Sequence, residues 1–484
     1  MDEKPRNKMI IGSVSIASIT ILLLASAAPS ILFQTPEKKI KIKNLEEWNI
    51  IVPDDYPTIH QAVQQAKSGD KIFVKNGRYR SGSGSIFSNP LNIRTENITI
   101  QGENPDNTII DGRYLSTVIY IYADSVKIKG FTIIRNGVNS SLITIYSNKN
   151  KIENNILKTN DDYEGIEYGI IMYSAHFNTI ANNTIERAEY GIDTINSDNN
   201  TFINNTIENT DNAIDVDDAL MFDLSKTYNG KLIYFNPSRD NKYINNTILN
   251  NRNGIFLKKS HGNQIENNKI ISNNVNGLIL LNCKKNKIIN NNFTNDGLEL
   301  HGDEIKYFKH EIKNNIVNKK PLYYYFEQED LTVPSDAGQI IIINCRYITI
   351  KGVIISKTST AVLIAYSRNI YVEDSEFSYN NRGVYLEFST YCMIYDNNFI
   401  KNKQNSGFVN LGFFNSNRNT WNRNYWEKVL DIGLSRFKFL RYKIWGRYIL
   451  KKPFGIIKIN GLGIITKNYD RRQARQPYVI KSEI

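Results

Sequence analysis

Four aspartates in the middle of the sequence form a candidate functional site: Asp193, Asp215, Asp217 and Asp218. The strings around Asp193 and Asp215 are alike, and each places an isoleucine directly before the aspartate. Side chains alternate between the two faces of a β-strand, so inward isoleucines predict outward aspartates. If the two strings are paired strands, Asp193 and Asp215 lie about 5 Å apart, where like charges repel unless a cation or a proton intervenes.

This arrangement allows four interpretations. Carboxylate oxygens at this density suit calcium, so Asp193, Asp215 and Asp217 are candidate calcium ligands, and the ion could bridge to an acidic sugar. With Asp218 and Lys258, the same residues form a candidate sugar-binding site. A lyase or hydrolase would use carboxylates beside a base, so Asp193, Asp215, Asp217 and Lys258 are also candidates for catalysis. The remaining interpretation is an acidic patch on a solvated surface.

A repeat of the sequence positions these residues. An apolar anchor is followed by a polar corner, often a pair of asparagines, and then by a second short apolar run. The anchors recur at a minimum spacing of about 22 residues with occasional insertions, which is typical of a solenoid. They are Ile100, Ile128, Ile152, Ile180, Phe202, Tyr243, Ile265, Ile288, Ile312, Ile350, Val372, Ile394 and Trp421.

The residue types of the repeat favour strands over helices. Short alternating runs rich in Ile, Tyr, Phe and Thr are broken by Asn, Asp, Gly and Ser. Such short strands pair with the same strand of the next turn, about 4.8 Å away. Asparagines at one position in successive turns can stack their amides into a ladder, and asparagine tolerates the left-handed conformation of a sharp corner. The sequence therefore predicts an all-β, single-stranded right-handed parallel β-helix.

Two insertions interrupt the repeat, around residues 219–240 and between Ile312 and Ile350. On a solenoid, insertions are expected to form loops on one face, and such loops often carry binding sites. Before the repeat, a short amphipathic helix is predicted from Thr58 to Lys67. We expect it to cap the first turn, because an open β-helix end exposes unpaired backbone and core.

Three stretches carry a resemblance to a known family: residues 50–79, residues 317–345 and residues 419–426. They resemble the NosD-like family of right-handed parallel β-helices, also described as carbohydrate-binding and sugar-hydrolase (CASH) repeats, with the pectin-lyase-like fold. The resemblance covers nearly all of residues 50–426. It implies the fold. For function it implies polysaccharide cleavage, glycan binding or a structural role, since β-helices of this kind serve all three.

The NosD name is tied to the maturation of copper enzymes, and soft copper sites need clustered Met, Cys or His. The five histidines are scattered through the chain: His60, His176, His261, His301 and His310. We therefore do not expect a copper-binding role. Cys283 and Cys345 occupy a column of small residues before the anchors, and we expect them to be packing residues.

The two ends of the chain differ from the repeat. Lys4, Arg6 and Lys8 precede an uncharged run from Met9 to Gln34, which predicts a signal peptide or a membrane anchor within residues 1–34. A linker follows over residues 35–48, then the cap and first turn over 49–96, and the repeats over 97–426. Residues 427–484 form a basic, aromatic C-terminal segment.

Charge separates that segment from the body. Residues 427–484 carry 14 Lys or Arg against 4 Asp or Glu, which accounts for most of the net charge of +12, and residues 49–426 are neutral. The body therefore gives no electrostatic support for nucleic-acid binding. The basic segment is either a C-terminal cap or a contact for anionic lipid or acidic glycan.

These patterns together predict an exported protein, secreted or anchored at the cell surface by one N-terminal helix. We expect it to bind a polysaccharide or surface glycan, or to serve as a structural module, with calcium as its one candidate cofactor. The alternative is a polysaccharide lyase or glycoside hydrolase that acts on an acidic polysaccharide.

Overall fold

The computed structural model describes the body of the chain almost continuously. The described residues are 48–80, 89–113, 115–135, 140–159, 166–216, 227–228, 231–232, 237–411 and 418–427, then the strands 443–449, 451–452, 455–456 and 464–469, and residues 474 and 476–480. The N-terminal apolar run lies outside them. Within the described residues, no helix is long and apolar enough to cross a membrane.

The predicted N-terminal helix is present at Ile59–Gln65. Thr58 is its N-cap, and the Thr58 hydroxyl accepts a hydrogen bond from the backbone N–H of Gln61. Ile59, Ala62 and Val63 are buried in the core of the first turns. The apolar spacing of this segment therefore places one helix face on the solenoid, as expected.

The rest of the body is a parallel β-solenoid of about 14 turns. Its first stack consists of three parallel sheets, one on each side of every turn. Sheet 1 contains Ile50–Val52, Lys71–Val74, Thr99–Gly102, Lys127–Lys129, Lys151–Glu153, Thr179–Ala181, Thr201–Ile203, Lys242–Ile244, Gln264–Glu266, Lys287–Ile289 and Glu311–Lys313. Sheet 2 contains Gly77–Arg80, Thr108–Asp111, Thr132–Ile134, Ile156–Lys158, Thr184–Glu186, Thr206–Glu208, Thr247–Leu249, Lys269–Ile271, Asn292–Thr294 and Ile316–Val317. Sheet 3 contains Leu91–Ile93, Thr117–Ile121, Ser140–Ile145, Glu167–Tyr173, Tyr190–Ile195, Asn212–Val216, Asn253–Lys258, Asn276–Leu281 and Leu298–His301.

The predicted anchors form one column in sheet 1. From Ile100 to Ile312, each anchor pairs with the next in strand register. All of them except Ile312 belong to the buried hydrophobic core of the stack, and Ile312 packs against it half-buried. The register predicted from the spacing is therefore confirmed throughout this stack.

The two asparagines of each pair have different roles at the corner that joins sheets 1 and 2. The first of each pair takes the left-handed backbone conformation, as at Asn182 (φ 54°). The second is buried and forms a ladder: the backbone N–H of Asn183 donates to Oδ1 of Asn205 one turn later. The Asn205 Nδ2 in turn donates to the carbonyl of the anchor Ile180 in the turn before. Both predicted roles of asparagine are thus confirmed.

The ladder runs through most of the first stack. Its members are Asn155, Asn183, Asn205, Asn246, Asn268, Asn291 and Asn315. A parallel ladder runs from Asn150 through Asn178, Asn200, Asn241 and Asn263 to Asn286 at the corner between sheets 3 and 1.

A hairpin at Asn318 and Lys319 reverses the chain and starts a second stack. Val317 pairs with Lys320 in an antiparallel register, whereas the strands that follow are parallel to one another. Sheet 4 contains Lys320–Phe326, Gln339–Ile343, Thr360–Ala365, Arg382–Glu387, Gln404–Leu411 and Lys443–Ile449, with Ile464–Tyr469 added antiparallel. Sheet 5 contains Glu329–Val333, Arg346–Lys351, Tyr371–Glu373, Met393–Tyr395 and Thr420–Asn422, and sheet 6 contains Ile354–Ser356, Glu376–Ser378, Asn398–Ile400 and Tyr425–Trp426.

The strand Gln339–Ile343 of sheet 4 is buried on both faces. Ile340 and Ile342 face the core of the second stack, whereas Ile341 and Ile343 belong to the core of the first stack. The sequence predicts that the second insertion forms a loop, and this prediction is wrong. The insertion instead forms the strands that close the end of the first stack. Covering that end satisfies the unpaired edge that a solenoid otherwise exposes.

A third ladder ends at the contact between the stacks. It passes from Thr210 to Asn251 and Asn273, and ends at Asp296, whose Oδ2 accepts bonds from the N–H and the Nδ2 of Asn273. The Asp296 carbonyl accepts a bond from the Thr358 hydroxyl of the second stack. Among the described residues nothing bonds to the buried Oδ1 of Asp296. Burial raises the pKa of this carboxyl to about 7.

Replacing this carboxyl by an amide is expected to stabilise the protein above neutral pH. Because the folded state raises the pKa of Asp296, the proton contributes stability that is complete below pH 4 and is lost as the pH rises through 7. Asp296→Asn keeps the acceptor oxygen and supplies a donor, so at pH 8 we expect a gain on the order of 1–3 kcal/mol. Urea denaturation at pH 5 and pH 8 measures this, and a gain that does not shrink at pH 5 contradicts it.

Candidate functional site

The outer face of sheet 3 brings the chemically active side chains of the first stack together. Strand register places three outward columns side by side along this face. The first column is Tyr168, Tyr190, Asn212, Asn253 and Asn276. The middle column is Tyr120, Thr144, Ile171, Asp193, Asp215, Phe256, Ile279 and Glu299. The third includes Tyr173, Ile195, Lys258, Leu281 and His301, and Tyr122 and Tyr146 precede them. We call this surface the sheet 3 lane.

Six tyrosines make up the N-terminal half of the lane. Tyr122, Tyr146 and Tyr173 form a continuous stack, with ring centroids 5.4 and 5.3 Å apart and planes within 13°. The Arg94 guanidinium carbon lies 4.5 Å from the ring centroid of Tyr122, at the start of the stack. Tyr120 stacks beside Tyr122. On the other side of the middle column, Tyr168 and Tyr190 stack with centroids 5.0 Å apart.

Stacking of this kind decides which part of each ring a ligand can reach. Rings that face their neighbours along the solenoid axis leave their edges and hydroxyls for an external partner. Tyr122 and Tyr146 are 39% and 44% exposed, so part of each ring is open to solvent. Burial, followed by the charge of Asp193, raises the pKa of Tyr168 and Tyr173. Their hydroxyls therefore stay protonated, and able to donate, well above neutral pH.

The predicted pair Asp193 and Asp215 follows the tyrosines along the middle column: Asp193 shares a strand with Tyr190, and Asp215 lies on the next strand. The two residues are register partners on adjacent strands, as the sequence predicts. They are only 8% and 7% exposed. Burial, then nearby carboxylates that include Glu189 and both aspartates, raises the pKa of Tyr190 to about 12.

The other predicted site residues are divided between the lane and the rest of the chain. Lys258 lies in the third column, next to Leu281 in register. Asp217 and Asp218 lie outside the described residues, and so does most of the first insertion. In the described part of the chain, no three His, Cys, Asp or Glu side chains form a group that could hold a metal ion. The calcium site at Asp193, Asp215 and Asp217 stays a prediction.

At its C-terminal end the lane meets a charged cluster that the sequence analysis missed. His301 Nδ1 is 2.9 Å from Glu387 Oε1 of sheet 4, and His301 Nε2 is 3.3 Å from Glu299 Oε2. Arg382 Nη2 lies 3.5 Å from the same Glu299 oxygen, and the Thr360 hydroxyl donates to Glu299 Oε1 at 2.6 Å. We call these residues the junction cluster, because Glu299 and His301 belong to the first stack and the others to the second.

The junction cluster is a balanced set of buried charges. Burial alone would lower the pKa of His301, but its hydrogen bonds to Glu299 and Glu387 outweigh this effect and raise the pKa to about 9. Burial alone would raise the pKa of Glu299, but Arg382 and His301 outweigh it and lower that pKa. At neutral pH an imidazolium therefore bridges two carboxylates of different stacks, which holds the stacks together.

We expect this bridge to make stability depend on pH. Because the folded state raises the pKa of His301, the bridge contributes stability that is complete below pH 6.5 and is lost as the pH rises through 9. His301→Gln leaves two carboxylates without the cation, and should lower the free energy of unfolding at pH 7 by roughly 3 kcal/mol and remove the alkaline step. Denaturant titrations from pH 6 to 10 measure this. The control is His60→Gln, since His60 Nε2 contacts the Asn89 carbonyl oxygen. Identical pH profiles for the two variants contradict the assignment.

The fold and this lane define the protein as a parallel β-helix with a tyrosine-lined outer face. The sequence matches the family described as periplasmic copper-binding protein (NosD) over residues 55–236, 222–333 and 329–430. The chain belongs to this family. No curated protein matches the sequence.

Solved structures similar to this chain include three that act on polysaccharides by their descriptions. The A-module of an Azotobacter vinelandii mannuronan C-5 epimerase is 11% identical, with a TM-score of 0.34, 74% of this chain and 91% of that chain covered. A PL6 alginate lyase in complex with a trisaccharide is 14% identical, with a TM-score of 0.40, and the match covers 88% of this chain and 90% of that chain. The catalytic domain of a GH87 α-1,3-glucanase with nigerose is 13% identical, with a TM-score of 0.41, and the match covers 77% of this chain and 66% of that chain.

The described residues do not fit the copper site that the family description names. His176, His261 and His310 each use Nδ1 to accept a backbone N–H bond. Cys283, Cys345 and Cys392 are free and buried, and burial raises the pKa of each thiol. Met172 is buried in the core. These side chains are hydrogen-bonded or buried within the fold, and Cys283 and Cys345 are packing residues, as expected.

Proposed function

We propose that this protein is exported and binds an extended polysaccharide along the sheet 3 lane. The observation that carries the proposal is the pair of tyrosine stacks on the outer face of sheet 3, which lead along the solenoid axis to the register pair Asp193 and Asp215. Neighbouring rungs are about 4.8 Å apart. One sugar unit extends a linear polysaccharide by a similar length, so successive sugars could meet successive rungs.

The chemistry of the lane suits sugar hydroxyls. Tyrosine hydroxyls both donate and accept hydrogen bonds, and sugar hydroxyls do the same. The raised pKa values of Tyr168, Tyr173 and Tyr190 keep these groups neutral. The lane is also fixed in place, because every outward residue stands on a strand whose register is set by buried anchors. A preformed surface loses less entropy on binding than a loop does.

Two observations support export. The chain opens with three basic residues before an uncharged run of signal-peptide type. The description of the matched family contains the word periplasmic. Cleaved secretion and a retained N-terminal anchor both fit these observations, and fractionation of tagged protein distinguishes them.

Removing hydroxyls from the lane should weaken binding without disturbing the stack. Tyr146→Phe and Tyr173→Phe keep the rings and delete one hydrogen-bonding group each, which costs about 1 kcal/mol or about fivefold in affinity. Affinity electrophoresis against alginate, polygalacturonate, dextran and chitosan identifies the ligand and measures the loss. Tyr379→Phe is the matched control, since Tyr379 is 53% exposed and directly follows the sheet 6 strand Glu376–Ser378 of the second stack. No binding by the parent protein, or equal losses in all three variants, rejects the lane.

The second candidate function is calcium-dependent catalysis on an acidic polysaccharide. The observation that favours it is the register pairing of Asp193 and Asp215, since strand spacing puts two carboxylates about as close as in a retaining glycosidase, about 5 Å. A cation would also relieve their mutual repulsion. Lys258 remains the nearest candidate base.

Calcium titration separates this candidate from simple binding. We expect wild-type protein to bind calcium in calorimetry and Asp215→Asn to lose at least tenfold in affinity, because one carboxylate ligand becomes a neutral amide. Reducing-end and unsaturated-product assays on polygalacturonate, with and without calcium, test catalysis in the same samples. Absence of calcium binding by wild type, or equal binding by both proteins, removes the metal site, and absence of product removes the enzyme.

A further inference from the structure

A second feature lies on the corner between sheets 4 and 5 of the second stack. The ring of Tyr391 has two arginines close to it: the guanidinium carbon of Arg368 is 4.6 Å from the ring centroid, and that of Arg418 is 5.4 Å away. We call these three residues the arginine clamp. Arg368 and Arg418 are both exposed, and Tyr391 is half-buried.

The solenoid itself builds the clamp. Arg346, Arg368 and Thr390 are bridge partners on successive rungs, so Arg368 comes from the rung before Tyr391. Asn419 bonds to the N–H of Cys392, which places Arg418 on the rung after Tyr391. The two guanidiniums therefore approach one tyrosine from neighbouring turns on either side. Because every rung is fixed by its sheet, this approach does not depend on a flexible loop.

Among the described residues, other arginines of this stack have carboxylate partners, unlike the two arginines of the clamp. Arg346 lies 3.6 Å from Glu329, and Arg423 Nε donates to Asp396 at 2.7 Å. Within the described residues, no carboxylate lies at ion-pair distance from Arg368 or Arg418, and neither guanidinium donates a hydrogen bond. The preceding segment 412–417 contains no acidic residue in the sequence.

Arg368 and Arg418 lie on the rungs before and after Tyr391, and an anionic partner that contacts them neutralises the charge of both guanidiniums. A guanidinium over an aromatic ring uses its face there, and its N–H groups remain for other partners. Those N–H groups match a carboxylate in two-point geometry better than they match any neutral group. The clamp therefore has the charge and the hydrogen-bond donors that carboxylates bind.

The surroundings of the clamp indicate a linear partner. Tyr347, 49% exposed, lies on an earlier rung of the same corner, below Asn369 and Tyr391. A polymer that runs along the solenoid axis would meet Arg418, Tyr391 and Tyr347 in turn. Along this corner Arg346 is paired with Glu329, so the positive charge of the corner is concentrated at Arg368 and Arg418. A lipid surface needs a broader positive face.

We propose that the arginine clamp binds the carboxylates of a uronic-acid polysaccharide. This site is separate from the sheet 3 lane, so the second stack contributes recognition of acidic sugars that the lane does not provide. The sugar carboxylate contacts Arg368 and Arg418, and the exposed ring of Tyr347 packs against a neighbouring sugar.

Calorimetry of the full chain with polygalacturonate fragments tests the clamp. Arg368→Gln and Arg418→Gln are each expected to weaken binding about tenfold, because each removes a charged hydrogen-bonding partner. Arg368→Lys should recover only part of the loss, since lysine lacks the two-point fork. Binding by wild type should weaken as salt increases. Lys401→Gln is the matched control, because Lys401 alone lies over Tyr379, at 5.6 Å, and its loss should change affinity less than twofold.

Other outcomes overturn the proposal. Wild-type protein that does not bind polygalacturonate, or that binds dextran equally well, excludes carboxylate recognition. A loss in Lys401→Gln as large as in the clamp variants shows only a general charge effect. Binding to vesicles with phosphatidylglycerol but not to polygalacturonate would assign the corner to a membrane instead. Because Tyr146→Phe and Tyr173→Phe alter the lane alone, a failure of the lane leaves the clamp result unchanged, and the reverse also holds.

Discussion

Hydrogen bonding along the axis of the solenoid is the constraint on which the whole structure depends. Strands of three to six residues are too short to hold a sheet with their sequence neighbours, and each corner buries backbone groups. At the corner of sheets 1 and 2, the Asn205 oxygen accepts the N–H of Asn183, and its nitrogen donates to the Ile180 carbonyl. An unpaired buried group costs about 1–3 kcal/mol, so ladders that pair the backbone groups of the corners fix the register of all three sheets.

Fixed register also determines what the surface can do. Because Ile192 pairs with Ile214 in the core, Asp193 must pair with Asp215 outside it. Tyr146 and Tyr173 are held in contact for the same reason, on strands whose neighbouring residues Ile145 and Met172 are register partners. Insertions and substitutions on the outer face therefore change the ligand surface without changing the scaffold.

The sequence predicts the periodic part of this structure and not its reversal. Anchors, corners and asparagine ladders recur at one spacing, so their positions follow from pattern alone. The hairpin at Asn318 and Lys319 puts both residues at positive φ, and a lysine there gives no compositional sign of a turn. The interval from Ile312 to Ile350 therefore resembles an insertion. The one signal available is the unbroken apolar run Ile340–Ile343, since a strand buried on both faces shows no alternation.

The candidate site is likewise predictable from the sequence only where its residues belong to the repeat. Asp193 and Asp215 are one repeat apart, so their pairing follows from the sequence. The tyrosines give no such signal, because tyrosine is also an ordinary strand former. Glu299 and Glu387 are far apart in sequence and belong to different stacks. Glu299 lies on the same strand as His301, whereas only the chain reversal brings Glu387 to His301.

The reversal also gives the sheet 3 lane two unlike ends. At its start, Arg94 covers the free face of Tyr122, and hydroxyls and ring edges dominate. At its finish, Thr360 and Arg382 of the second stack contact Glu299, the last residue of the middle column. A linear polymer has distinct ends as well, so a lane with an aromatic start and a carboxylate at its finish would bind it in one direction. The closure that protects the core of the first stack thus also sets the polarity of its outer face.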